Sequence, residues 1–357
     1  MGRIIAILVV VLAALAGVAY VFQKDIGLWI FERALSTRLG ADPVAALPDG
    51  LHVGLCGAGS PLADPRRSGP CVTVIAGKTM FVVDSGSGAA RTLTLMGLSP
   101  GQVSRVFLTH FHSDHIDGLG ELMTLRWAQG NHKTPLPVAG PEGVTQVVDG
   151  FNTAYDLDRG YRVAHHGETV VPPSGGPAEA DAFQSPPDGE DVTVYDQDGI
   201  TVTAFKVDHF PVTPAVGYRF EYGGRSLVIS GDTKKSPNLE RFAKGADLLA
   251  HEALSFRLVG MMNNAADANG LPNVAKIALD IMDYHTSPVQ AAQSAAAAGV
   301  DHLLFYHIVP ALPLSALERA FTDGVEDVYD GPYTVGRDGT FISLPAGTDE
   351  IKVSNRL

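Results

Sequence analysis

Cysteine is scarce in this chain of 357 residues: Cys56 and Cys71 are the only two. They are too few for a thiolate metal cage and too far apart for a CxxC redox pair. Two readings stay open, a pair of buried thiols or one disulfide between neighbouring strands, and the second requires an oxidising compartment. Charge is also sparse, at 18% of residues, and positive charge sparser still: 26 Lys plus Arg against 39 Asp plus Glu, a formal net charge of −13. Such a chain repels a phosphate backbone as a whole, so nucleic acid is not expected as a partner. Hydrophobic residues make up 45%, too many for a disordered chain and too few for a polytopic membrane protein.

One long apolar run is present. Ile4 to Phe22 holds 19 residues without a charge, preceded by Arg3 and followed by Lys24 and Asp25. It exceeds the apolar region of about 7–15 residues in a cleaved signal peptide and is long enough to cross a bilayer, although Gly17-Val18-Ala19 offers a small-x-small cleavage site. Residues 1–24 are therefore expected to be a membrane anchor or signal segment. With Arg3 on the cytoplasmic side, the rest of the chain lies outside the cytoplasm, periplasmic if anchored and secreted if cleaved. Residues 25–50 read as a helical connector, Trp29 to Leu39, ending at Gly40 before a Pro-containing turn.

From Leu51 to the C-terminus, short strand-like runs alternate with helical ones in two rounds. Leu51–Leu55, Cys71–Ile75, Met80–Val83 and Val103–Leu108 are expected strands, flanked by helices over Ala90–Met96 and Ile116–Trp127. The second round has strands at Thr201–Val207, Val216–Tyr222, Ser226–Ile229 and Leu303–Tyr306, with helices at Pro237–Ala243, Pro272–Tyr284 and Val289–Ala297. Two such rounds predict two sheets packed face to face with helices outside. The segment 156–190, rich in proline and glycine from residue 167 onward, is expected to be a loop insertion able to act as a lid.

The densest chemical signal is Thr109-His110-Phe111-His112-Ser113-Asp114-His115, between an expected strand and an expected helix. Residues two apart in extended chain share a face, so His110 and His112 are placed to bind one ion while Phe111 turns into the core. Asp114 and His115 follow at the helix start and can serve a second ion about 3.5–4 Å away, the spacing of two-metal sites. Four such groups within six residues would repel or go unpaired without a cation.

This HxHxDH pattern at a strand-to-helix turn resembles the metallo-β-lactamase superfamily, and later motifs follow in that family's order: His209, Asp232 in Ser230-Gly231-Asp232-Thr233, and His307. The resemblance implies an α/β, four-layer αββα sandwich, here behind an N-terminal transmembrane helix, with the hydrolase domain over 51–357. It also implies a dinuclear site in which His110, His112 and His209 hold one metal, Asp114, His115 and His307 the other, and Asp232 bridges them. Two Zn²⁺ ions are the implied cofactor, with Mn²⁺ or Fe fitting the same donors.

His251-Glu252-Ala253 and Tyr284-His285-Thr286-Ser287-Pro288 resemble boxes of ribonuclease Z and its arylsulfatase-like relatives. On that resemblance Asp114, His285 and Glu252 are the candidate catalytic side chains: His285 protonates the leaving oxygen, Glu252 aims it, and Asp84 supports the metal loop through hydrogen bonds. Three observations are read as favouring the arylsulfatase-like branch. Only five residues separate Phe220 from Ser226, which leaves no room for a tRNA-gripping arm; the net charge opposes a polyanion; and export removes the domain from tRNA. The runs Gly57–Pro61 and His165–Pro173 are read the same way. The expected activity is hydrolysis of an aryl sulfate or related small-molecule ester. The alternatives are a phosphodiesterase, a lactonase or a membrane-anchored metal-binding protein, and oligomeric state is left open, a dimer being compatible.

Overall fold

The computed structural model describes residues 2–38 and 40–357. Met1 and Leu39, the latter the expected end of the connector helix, lie outside the described residues. The chain divides into a unit of residues 1–46 and a body of residues 47–357. In the first unit Gly2–Val21 forms a helix in which no residue is buried, followed by a helix over Gln23–Arg38. Length and composition allow the first helix to cross a membrane.

The body is built on two sheets. The first begins with β1 (Gly50–Gly57), β2 (Cys71–Ala76), β3 (Thr79–Val83), β4 (Val103–Phe107), β5 (Leu136–Gly140) and β6 (Ala178–Ala182). The second holds β7 (Asp191–Gln197), β8 (Ile200–Lys206), β9 (Val216–Tyr222), β10 (Arg225–Ile229), β11 (Leu248–Leu254), β12 (His302–Val309) and β13 (Tyr333–Val335). The chain then returns through β14 (Thr340–Pro345) and β15 (Lys352–Asn355), giving orders β15-β14-β1-β2-β3-β4-β5-β6 and β13-β12-β11-β10-β9-β8-β7. In each sheet one end is antiparallel and the other parallel: β3 to β6 run parallel, as do β10 to β13.

Alternation along the strands explains the layering. Leu51, Val53 and Leu55 of β1, Val72 and Val74 of β2, Tyr218 and Phe220 of β9, and Leu304 and Tyr306 of β12 share one core between the sheets. The intervening residues Phe205, Val228, Leu249, Leu303 and Phe305 face the other way, against Leu239, Ala291, Ala295 and Phe321 of the outer helices. Period-two packing of this kind buries both faces of a sheet only when helices cover the outside, which is the expected four-layer αββα arrangement. At the site's end of β1, Cys56 and Cys71 are joined as a disulfide with Cα atoms 4.9 Å apart.

Residues 156–190, expected as a loop insertion, carry a helix over Asp156–His166 and the edge strand β6. The helix has no buried residue: Leu157 and Tyr161, four apart on one face, are both exposed.

Candidate active site

Every donor expected at the site sits just past, or at, the C-terminal end of a strand, where open α/β sheets place their ligands. His110 to His115 follow β4, His209 follows β8, Asp232 follows β10, Glu252 lies near the end of β11 and His307 near the end of β12. The β4 loop is fixed from below. Asp84, at φ +56° after β3, accepts hydrogen bonds from the Thr109 amide and hydroxyl at 2.8 Å each and from His115 Nδ1 at 2.8 Å. The loop also lies so close to Gly86 that a Cβ there would come within 2.4 Å of the Asp114 carbonyl oxygen. Only glycine permits that approach.

The hydrogen bonds settle which imidazole nitrogens face inward. His115 gives its Nδ1 proton to Asp84, so Nε2 is free of that duty. The Thr109 hydroxyl, already donating to Asp84, accepts from His110 Nδ1 at 3.1 Å, and the Tyr284 carbonyl accepts from His209 Nδ1 at 2.9 Å. These three rings therefore turn bare Nε2 atoms toward the centre. A β-bulge delivers the last donor: Glu252 pairs with Tyr306 and Ala253 with Ile308, which leaves His307 as the extra residue, at φ +44°. Bulges of this kind re-aim a side chain beside a site.

Two groups result: His110, His112, His209 and Asp232, and Asp114, His115 and His307, with the donor atoms of each group within 4.8 Å of one another. A single atom, Asp232 Oδ2, links them. It lies 3.7 Å from His110 Nε2 and 3.9 Å from His209 Nε2 on one side, and 3.3 Å from His115 Nε2 and 3.4 Å from His307 Nε2 on the other. His112 Nδ1 faces His110 Nε2 at 3.0 Å and His209 Nε2 at 3.5 Å.

Electrostatics divide the cluster in two. Burial pushes His110 well below its ordinary value and His209 down to about 4, so both are neutral donors at pH 7. Burial also opposes charge on His115 and His307, but the carboxylates outweigh it: Asp232 and Asp84 hold His115 well above its usual range, and Asp232 and Asp114 raise His307 to about 9. Burial would raise Asp232, yet His307 and His115 hold its carboxyl well below the usual carboxylate range. Carboxylates that demand positive charge beside bare imidazole nitrogens are what zinc takes. His115 Nε2 and Asp232 Oδ1 are buried without a hydrogen-bond partner, as donors kept for a cation are. The donor set fits two zinc ions.

His285 is buried at the edge of the cluster, its ring 5.2 Å from that of His209 and 5.7 Å from that of His307. Its Nδ1 meets Glu252 Oε1 at 3.2 Å, and the same oxygen accepts from the amides of Thr286 at 2.9 Å and Thr233 at 3.3 Å. Glu252 thereby ties the Asp232 loop to the His285 loop. His251 is fully buried and bonded to the Glu252 carbonyl, a structural position. His165 and His166 are exposed on their helix, while His52, His132 and His302 bond to protein groups away from the cluster.

Phe111, expected in the core, is only half-buried and lines an apolar groove with Val147 and Phe151, because the chain turns outward at His112 to start the helix. Two site residues escaped the sequence reading. Thr109 relays Asp84 to His110, and Tyr284 holds His209 through its carbonyl while its ring lies 4.9 Å from that of His209. Each stands next to a motif histidine, which is the only signal either carries.

A fold with the metal cluster at the strand ends of two facing sheets defines a class, and comparison with known proteins identifies it. The model of the beta-lactamase superfamily domain matches residues 79–308, and the chain belongs to the metallo-β-lactamase superfamily. Its branch is the ribonuclease Z-like one. The ribonuclease Z of Mycobacterium bovis (strain BCG / Pasteur 1173P2) is 37% identical over 264 residues, covering 73% of this chain and 87% of that protein. That of Mycolicibacterium gilvum is 38% identical over 264 residues, covering 73% and 85%. Among solved structures, the short form of human tRNase Z has a TM-score of 0.58 at 22% identity, covering 82% of this chain and 99% of that one. The metallo-β-lactamase fold protein YhfI from Bacillus subtilis has a TM-score of 0.57 at 19% identity, covering 82% and 99%.

The chain is accordingly a metal-dependent hydrolase of ester bonds. The relatives overturn the expected aryl sulfate, the small-molecule ester and the exclusion of nucleic acid, since those matching most of the chain carry the name ribonuclease Z. The turn between β9 and β10 is indeed short, with Tyr222 paired to Arg225 across Gly223 and Gly224. A missing arm at one hairpin does not decide the substrate, however, and a net charge summed over the whole chain says nothing about its distribution near the site.

Proposed function

We propose that this chain hydrolyses a phosphodiester bond in RNA. One observation carries the reading: seven donors in two groups meet at Asp232 Oδ2, with the His285–Glu252 pair at their edge. The names of the relatives supply the bond and the substrate class. His110, His112 and His209 would hold one zinc and Asp114, His115 and His307 the other, with Asp232 placed between them. Bound there, two zinc ions would lower the pKa of a bound water to about 7 and neutralise charge on the phosphoryl group. Asp114, buried beside His115 and His307, would orient the water on the attacking side. His285 is the acid: as an imidazolium whose Nδ1–H is held by Glu252, it would give its Nε2 proton to the leaving oxygen and be left neutral.

The body is read as an exported domain, residues 51–357, joined through residues 25–50 to an anchor in residues 1–24. The exposed apolar helix Gly2–Val21, the charge placement around it and the Cys56–Cys71 disulfide support a position outside the cytoplasm.

The test is a panel on the zinc-loaded full chain in detergent: a single-stranded RNA, bis(4-nitrophenyl) phosphate and 4-nitrophenyl sulfate. Cleavage of the RNA and of the diester is expected. Turnover of the sulfate without cleavage of the RNA overturns the reading.

A further inference from the structure

The loop that carries His209 has two sides. On one, the His209 ring faces the metal cluster. On the other, the loop walls a groove of about 720 Å³ closed by the segment around Asp188 and by the start of the helix Pro237–Phe242. Three cations line this groove, Lys206, Lys235 and Arg241, against two acids, Asp188 and Asp208. The local excess is positive in a chain whose sum is −13.

These cations can be released to a ligand. Lys206 pairs with Asp188 at 3.4 Å with both side chains largely exposed, and Lys235 pairs with Glu240 at 2.6 Å. The exposed Lys206–Asp188 pair contributes little to stability, so a phosphate can replace that carboxylate at small cost, while Glu240, half-buried and also bonded to Ser294 at 3.1 Å, keeps a partner when Lys235 turns to a phosphate. Arg241 is exposed, and among the described residues its guanidinium makes no hydrogen bond or ion pair. Asp208 is already engaged with the Phe210 amide at 3.3 Å, bracing its own loop. At the rim stands Phe210, 69% exposed, next in sequence to the metal-site residue His209. An aromatic face in water beside a row of cations is the arrangement that binds single-stranded nucleic acid: bases stack on the ring and phosphates follow the charges.

We propose that this groove is the strand-binding subsite of the enzyme, with backbone phosphates of a single-stranded RNA on Arg241, Lys235 and Lys206 and one base on Phe210. The proposal rests on the RNA phosphodiesterase reading. It supplies what the short β9–β10 turn lacks, a grip on the substrate outside the metal cluster.

The experiment uses the full chain in detergent, stripped of metal with a chelator so that binding is read without cleavage. The probe is a fluorescein-labelled oligouridine of about 12 nucleotides, with anisotropy measured between about 50 and 200 mM salt. The Lys206→Ala/Lys235→Ala/Arg241→Ala triple variant is expected to bind at least about tenfold more weakly, with the slope of log affinity against log salt smaller by about 2, or about 0.7 for each phosphate contact. Phe210→Ala should lose about 5–150-fold with the slope unchanged, and Phe210→Trp should restore binding. On the zinc-loaded chain the triple variant should lose at least about tenfold more kcat/KM on RNA than on bis(4-nitrophenyl) phosphate. Arg91→Ala serves as the comparison, since Arg91 lines a separate cavity that shares no residue with the metal cluster.

If the wild-type chain binds and cleaves RNA but the groove variants bind it as tightly, the groove proposal is overturned and the RNA reading stands. If the wild-type chain cleaves the nitrophenyl diester but neither binds nor cleaves RNA, both are overturned.

Discussion

Asp84 touches no proposed metal donor atom, yet its replacement by Asn should cost one zinc far more than the other. The carboxylate accepts three hydrogen bonds, two from Thr109 and one from His115 Nδ1, and is 1% exposed. In Asp84→Asn the amide oxygen can still take the Thr109 amide proton, but the NH₂ then faces the Thr109 hydroxyl and His115 Nδ1. His115 relieves the donor-to-donor clash by moving its proton to Nε2, the nitrogen that faces Asp232 Oδ2 at 3.3 Å. A protonated Nε2 cannot bind metal. Loss of such an outer partner typically lowers metal affinity 10–100-fold, or about 1.4–2.7 kcal/mol. His110 keeps Thr109 as its own acceptor, so the ion held by His110, His112 and His209 should be affected less. Stepwise competition against a chromophoric zinc chelator resolves the two ions. Equal weakening of both, or no weakening of either, refutes the argument that Asp84 acts through the His115 tautomer.

Three further outcomes follow. His285→Ala should keep both zinc ions and slow turnover by about 10²–10⁴-fold, less for a nitrophenyl diester than for RNA, because an activated leaving group needs its acid least; loss of metal would make His285 structural. The chelator-treated chain should lose stability as pH rises through about 9, since His307 is held protonated in the folded state, its pKa raised from 6.5 to about 9. That contribution is complete below pH 6.5 and gone above about 9, and urea midpoints across this range that do not fall would contradict it. Replacing Cys56 and Cys71 with Ser should lower stability by about 3 kcal/mol, the chain-entropy value for a loop of 15 residues, and the denatured native protein should titrate no free thiol.

The metal loop was legible because its chemistry is local: four donors in six residues leave few arrangements, and the strand before them sets the alternation. The strands of the inner core were legible for the same reason, period two in Leu51–Leu55 or Val216–Tyr222. What failed to show was hidden by its surroundings or had no alternation. The helix Asp156–His166 sets Leu157 and Tyr161 on one face, but it runs into a proline- and glycine-rich stretch that reads as loop, while β11 (Leu248–Leu254) buries every residue and does not alternate. The bulge that turns His307 toward Asp232 depends on register against β11, a property of two strands together, and Phe111 faces out because a helix begins at the next residue but one.

The substrate was misread for a different reason. A sulfate ester and a phosphodiester both present tetrahedral anionic oxygens beside a leaving oxygen, so a pair of zinc ions flanked by His285 and Glu252 can serve either. Motifs that define the cluster therefore cannot choose between them, however completely they match. The choice lies in what surrounds the cluster, where residues far apart in sequence meet. Lys206 ends β8, Phe210 lies in the loop after it, Lys235 precedes a helix beyond β10 and Arg241 lies in that helix's last turn. No single strand, loop or helix contains this set, and a sum over 39 acids and 26 bases conceals it. Charge far from a site is screened over about 8–10 Å at physiological salt, so a local excess can receive a polyanion on a chain of opposite net sign. Net charge thus bears on the solubility of this protein and on its long-range steering, while the sign at the groove bears on what it can hold.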